Sequence, residues 1–84
     1  MIQTTHKNSL DMYYSMGGWL GDIAFKAKNL VGLFESKEMP EPALTHMLTE
    51  MMKMTSVNAT PDEILKKDEM NGVLSAIISD AQAV

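Results

Sequence analysis

Hydrophobic residues between Ser9 and Glu35 recur in alternating steps of three and four positions. This spacing places them on one stripe of an α-helix, because an α-helix has about 3.6 residues per turn. Further apolar residues widen the stripe into an arc that can face two other helices. We therefore predict a helix over residues 9–36 on which the rest of the chain packs. Its stripe consists of Tyr13, Met16, Leu20, Ile23, Ala27, Leu30 and Phe34, and Met12, Trp19, Ala24 and Val31 widen it.

Four glycines interrupt the same segment, and each costs about 0.5–1 kcal/mol relative to alanine inside a helix. On a continuous helix they lie opposite the apolar stripe, together with Tyr14 and Phe25, and such a face suits close contact with a partner or a second copy. Alternatively, the chain breaks at Gly17–Gly18 into a short helix and a longer one. A strand fits the spacing least well. The four glycines are Gly17, Gly18, Gly21 and Gly32.

A second helix is predicted over residues 42–55, after a turn that contains two prolines. Pro40 and Pro42 disfavour helical geometry at the residues before them, and Pro42 suits the first turn of the next helix. One face of this helix is rich in methionine and includes Met47 and Met51. Methionine is flexible and polarisable, so such a face either fills the core or re-packs against different protein partners.

The third predicted helix spans residues 61–82 and starts at the sharpest local signal in the chain. Thr60 is placed to cap the helix, and Glu63 completes a capping box three residues later. We expect a kink or break near residues 67–72, because Asn71–Gly72 interrupts the apolar stripe.

Together these elements predict an all-α fold, a small three- to four-helix bundle. The length of 84 residues fits a single helical domain. Residues 1–8 are polar and show no helical stripe, so we expect a partly mobile arm at this end of the chain.

Charge and composition narrow the functional classes. The formal net charge is −4, and the chain contains neither cysteine nor arginine. Lack of cysteine excludes disulfides and thiolate metal sites, and an acidic chain without arginine is poorly suited to direct nucleic-acid binding. Asp11, Asp22, Lys26 and Lys28 interrupt the most apolar segment, so no transmembrane segment is predicted. Because no signal-peptide pattern is present, we expect a cytoplasmic location.

The sequence holds no recognisable catalytic, cofactor or metal motif, and we expect no enzyme, no cofactor and no metal ion. His46 and Glu50 share one helix face, but no third ligand has a suitable spacing. The glycines around Trp19 lack the lysine and hydroxyl residue of a phosphate-binding loop. The adjacent acids of the third helix are explained by capping and by the helix dipole.

Contact with another protein is the remaining mode of action. We expect a small non-enzymatic protein that acts by protein–protein contact, as a regulatory or inhibitory accessory protein of the kind that phages and mobile elements encode. The alternatives are a structural subunit of a larger assembly, such as a virion component, and an amphipathic module of a membrane surface. The sequence does not identify the partner. We also expect a homodimer, because one small domain carries more apolar surface than its core can cover. The candidate contact residues are Tyr14, Trp19, Phe25, Met47, Met51, Asp62, Glu63, Asp68 and Glu69.

Overall fold

The computed structural model describes residues 1–56 and 58–83 and contains four α-helices. The helices are α1 (Thr4–Ser15), α2 (Gly18–Glu35), α3 (Glu41–Met52) and α4 (Pro61–Gln82), and the described residues contain no strand. The prediction of an all-α helical bundle is confirmed. Helix α1 packs against α2 and α4, and α3 packs against the same two helices. Because α2 and α4 also touch each other, these two helices form the centre of the bundle.

A single core connects all four helices. The apolar side chains that are buried in it come from every helix and from the segment before α1. Burying a large apolar side chain stabilises a fold by about 1.5–3 kcal/mol relative to leaving it exposed, so this core is the main stabilising element. Its largest fully buried members are Leu10, Ile23, Leu44, Leu48, Met70, Leu74 and Ile77.

The beginning of the chain differs from the prediction of an arm over residues 1–8. Helix α1 already starts at Thr4, five residues before the predicted start at Ser9. Ile2 is only 2% exposed and belongs to the core. The backbone N–H of Gln3 donates to the Asp80 carboxylate at 3.0 Å, and the chain before the helix is thereby held against α4. The pattern missed this start because one buried isoleucine and one remote carboxylate leave no periodic stripe.

The first predicted helix, 9–36, is in fact two helices, with the break at Gly17–Gly18. Both glycines have positive φ, +72° and +64°, a region that side chains with a Cβ rarely adopt. A Cβ on Gly21 would lie 3.0 Å from the carbonyl oxygen of Tyr14. Gly21 therefore lets α1 and α2 of the same chain approach each other closely, which is a role inside the fold and not at a partner surface.

Helix α4 begins as predicted but continues without the break expected near residues 67–72. The Thr60 hydroxyl accepts from the Glu63 N–H at 3.1 Å, and the Glu63 carboxylate accepts from the Thr60 N–H at 3.0 Å, so the capping box is confirmed. The stripe is continuous because it includes Lys67, which is buried, whereas Asn71 and Gly72, which were expected to interrupt it, lie beside the buried face. The buried residues of α4 are Lys67, Met70, Leu74, Ile77 and Ala81.

Lys67 is only 4% exposed and joins α4 to the end of α3. Its ammonium group donates to the Met52 carbonyl at 3.2 Å and to the Asn71 side-chain oxygen at 2.7 Å. The Asn71 amide also donates to the Met52 carbonyl, at 3.1 Å. We call this group the Lys67 clamp. It satisfies a carbonyl at the C-terminus of α3, where positive charge is favourable. Burial lowers the pKa of Lys67, and the negative charge of Asp68 opposes part of this effect.

Candidate interaction surface

Three contacts form a ladder along the outer seam between α1 and α2. Lys7 pairs with Glu35 at 3.0 Å, and Lys28 pairs with Asp11. The third contact, a stacked aromatic pair, lies next to the turn at Gly17. Each contact joins the two antiparallel helices at a different height, so the seam is closed along much of α1.

The aromatic pair consists of Tyr14 and Phe25. Their ring centroids are 5.4 Å apart, and their planes are inclined by 30°. The Lys28 ammonium lies 5.0 Å from the centroid of the Tyr14 ring. Stacking is worth about 0.5–1.5 kcal/mol beyond area burial, so the pair helps to close the hairpin. Each residue nevertheless remains 47% exposed, and the two rings leave a substantial apolar surface in contact with water.

A row of exposed residues runs along α2 on the same side of the bundle. Its members, spaced by four, three, four and three positions, are Gly18, Asp22, Phe25, Asn29 and Gly32. Such spacing keeps residues on one helix face. We call this set the outer row of α2. All five residues are exposed. Gly18, the first residue of α2, also lies beside α4, because a Cβ there would stand 3.4 Å from the Glu63 carboxylate.

A shallow groove lies beside the outer row, between α2 and α3. Its volume is about 540 Å³. Met47 is 42% exposed at the groove, whereas Met51 is 8% exposed and belongs to the core. The methionine-rich face was expected either to fill the core or to pack against protein partners. Met51 fills the core, whereas Met47 remains open to solvent. The groove is lined by Lys26, Asn29, Leu30, His46, Met47, Glu50 and Met51.

Trp19 lies at a different place from the aromatic pair. It is partly buried and packs against the core. Together with Met54 and Asp68 it lines a small cleft of about 160 Å³ next to the Lys67 clamp. Because most of its ring lies against this chain, Trp19 contributes mainly to packing between α2 and α4.

The acidic candidates are distributed along α4. Glu63 is engaged in the capping box, and Glu69 lies 3.8 Å from Lys66. Asp62 and Asp68 are exposed. The candidate contact residues therefore form several separate groups, which are Tyr14 with Phe25, Met47 with Met51, Trp19 with Asp68 at the small cleft, and the other acids of α4.

Sequence reasoning missed the charged neighbours of the aromatic pair. Asp11 and Lys28 were read only as interruptions of an apolar segment, yet Lys28 contacts both Asp11 and the Tyr14 ring. A signal was available: folding the chain back at Gly17 brings position 14 near 25 and position 11 near 28. The pairing depended on choosing the break over the continuous helix.

The described part of the chain contains no cluster of three or more His, Asp or Glu side chains arranged to hold a metal ion. Among the helices of residues 1–56 and 58–83, none has the length and apolar character needed to cross a membrane. Burial raises the pKa of Tyr13 in the core, and the negative charge of Glu69 adds to this shift. No family model, curated protein or solved structure matches the chain.

Proposed function

We propose that this protein is a small non-enzymatic protein that acts by contact with another protein, with the Tyr14–Phe25 pair as the anchor of the contact. The half-exposed aromatic stack is the observation that carries this proposal. Aromatic side chains dominate binding energy at protein interfaces because they bury a large area with little loss of conformational freedom. The stack already fixes both rings, which lowers the ordering cost of binding.

The composition supports a regulatory or inhibitory accessory protein, of the phage or mobile-element type, as the biological class. Such a role needs a compact fold and one exposed contact surface. The four-helix core and the aromatic pair match these two requirements. Lys28, whose ammonium group lies over the Tyr14 ring, adds a polar contact at the rim of this surface.

The groove between α2 and α3 favours a second candidate function, that of a structural subunit. It offers an apolar contact area around Met47 that is separate from the aromatic stack. A chain with two contact surfaces can be built into an ordered multimer, whereas an inhibitor needs only one.

Affinity capture from the native host with matched variants tests the proposal. Phe25→Ala removes one ring of the stack, and we expect it to reduce capture of a specific partner about 30-fold, as loss of a hot-spot aromatic does. Leu65→Ala is the control, because Leu65 is also exposed, at 57%, but lies on α4. Met47→Ala reports on the groove. Capture that is unchanged by Phe25→Ala, at equal amounts of folded protein, contradicts the role of the aromatic pair.

A further inference from the structure

The two glycines of the outer row of α2 are placed symmetrically about Phe25. Gly18 and Gly32 lie seven residues before and after Phe25, and Asp22 and Asn29 lie between them. A helix face with this arrangement meets an antiparallel copy of itself in register, because the small residues at its two ends then face each other. Helices with small residues at such crossing points can approach closely.

Gly32 has no explanation within the chain. It lies inside α2 with an ordinary helical backbone, where glycine is the least favourable residue after proline. No atom beyond its local helix lies within 4 Å of the place where a Cβ would stand. Gly17, Gly18 and Gly21 are explained by the turn and by close packing on α1. Gly32 and Gly72 both have open space where a Cβ would stand, but only Gly32 lies on the helix face of Phe25.

The charges beside Phe25 are self-complementary. Asp22 lies three residues before Phe25 and Lys26 lies one residue after it, and both are exposed. Within the described residues neither takes part in an ion pair. Their net charge is zero, so two copies of this surface do not repel each other despite the overall charge of −4.

We infer that a second copy of this chain lies antiparallel along the outer row of α2, with a two-fold axis beside Phe25. The two Tyr14–Phe25 stacks then form one aromatic cluster, and Gly18 of each copy faces Gly32 of the other. Asp22 of each copy pairs with Lys26 of the other, because the two residues are four positions apart on one flank of α2, where Lys26 borders the groove with α3. This is an isologous contact, in which the same patch serves both partners.

This inference rests on the proposed function, since it assigns the partner of the same surface. A contact between single helices and their flanking rings is smaller than the roughly 800 Å² per partner of a standard interface. We therefore expect a dimer with a dissociation constant in the micromolar range.

Sedimentation equilibrium of the full chain over a concentration series measures this association. We expect the unmodified chain to shift from the mass of one chain to that of two chains, and Phe25→Ala to raise the dissociation constant about 30-fold. Gly32→Gln adds a side chain at the crossing point, and we expect a tenfold or greater loss of association. Gly72→Gln is its control: Gly72 is also exposed with open space around it, but it lies on α4.

Charge reversal tests the register of the two copies. In a dimer of Asp22→Lys, the new lysine of each copy faces Lys26 of the other copy. In a dimer of Lys26→Asp, the new aspartate of each copy faces Asp22 of the other copy. We expect each variant alone to remain at the mass of one chain. An equimolar mixture of the two variants restores both ion pairs, and we expect it to reach the mass of two chains.

A chain that stays at the mass of one copy at every concentration overturns the inference. So does a dimer that survives Phe25→Ala, Gly32→Gln and both charge reversals, because it then uses another surface. If the chain is monomeric but Phe25-dependent capture yields another protein, the inference fails while the proposed function stands. If it is monomeric and capture does not depend on Phe25, both fail.

Discussion

Helices α1 and α2 are joined by a two-residue turn at residues 16–17, whereas residues 53–60 connect α3 to α4. The α1–α2 hairpin is closed at its surface, by two ion pairs and a stacked aromatic pair that remain partly exposed. The α3–α4 hairpin is closed in the interior, by the buried Lys67 clamp. Both hairpins consist of two antiparallel helices, but they are held differently. The first is held by solvent-exposed contacts and by the close packing of α1 and α2 at Gly21, and the second is held by a buried charged side chain.

This difference assigns different tasks to the two hairpins. Exposed ion pairs contribute little to stability, about 0–1 kcal/mol each, so most of the α1–α2 seam can change without unfolding the chain. A buried ammonium group is costly to desolvate, and the groups that it bonds become unsatisfied when it is removed. The first hairpin is therefore suited to evolve a contact surface, and the second to fix the fold.

The largest expected effect is that of removing the clamp. Lys67→Ala deletes a buried side chain and leaves the Asn71 oxygen without its donor, so we expect the free energy of unfolding to fall by about 2–4 kcal/mol. Lys66→Ala is the control, because Lys66 makes only a surface pair with Glu69 at 3.8 Å, and we expect a change within about 0.5 kcal/mol. Urea denaturation measures both. Equal denaturation midpoints for the two variants would show that the Lys67 clamp does not hold the α3–α4 hairpin together.

A smaller effect is expected where α1 approaches α2. Gly21→Val forces a branched side chain against the Tyr14 carbonyl, which lies 3.0 Å from the Cβ position, and we expect a loss of about 1–3 kcal/mol. Gly72→Val has open space around it, and this control should be neutral or slightly stabilising. Thermal unfolding distinguishes them. A Gly21→Val protein as stable as the control would show that the two helices tolerate a wider spacing.

The smallest expected effect is the change of stability at alkaline pH, which has opposite directions for a residue of each hairpin. The folded-state pKa of Lys67 lies below its ordinary value of 10.5, so the unfolded chain binds the proton more tightly than the folded chain does. Stability from this group therefore rises as the pH increases from the folded pKa toward 10.5. Tyr13 acts in the opposite direction: its folded pKa lies above 10.0, and its contribution is lost as the pH rises through that folded pKa.

Lys67→Met isolates the first of these contributions. The difference in unfolding free energy between the unmodified chain and Lys67→Met, measured in urea at several pH values from neutrality to 10.5, should shift in favour of the unmodified chain as the pH rises. A difference that is constant with pH would mean that the clamp lysine keeps its ordinary pKa in the folded chain.

The elements that the sequence predicted best are those determined by neighbours in the chain. Thr60 and Glu63 form a capping box by local bonds alone, and the start of α4 was predicted from them. The break at Gly17–Gly18 was one of three interpretations, beside a continuous helix and a strand, because glycine lowers helix stability but does not determine which geometry replaces the helix. Start positions of helices held by remote partners, such as the Gln3–Asp80 contact, left no local signal.

The candidate site was predictable only in part for the same reason. Tyr14 and Phe25 were recognised as aromatics away from the apolar stripe, and both are half-exposed. Tyr14 and Phe25 stack on each other only because the chain folds back into a hairpin. On a single continuous helix the two residues would lie about three turns apart. The burial of Lys67 was not predicted, because it depends on two acceptors, one of them at the end of another helix.

Trp19 provides an optical reporter of the contact between the two hairpins. It is the only tryptophan of the chain, it belongs to α2, and its cleft is completed by Met52, Lys67 and Asn71 of the other hairpin. Indole emission shifts to longer wavelength when the ring becomes hydrated. Separation of the hairpins would therefore be visible as a red shift before any helix melts, and stopped-flow fluorescence could time it against the loss of helical circular dichroism.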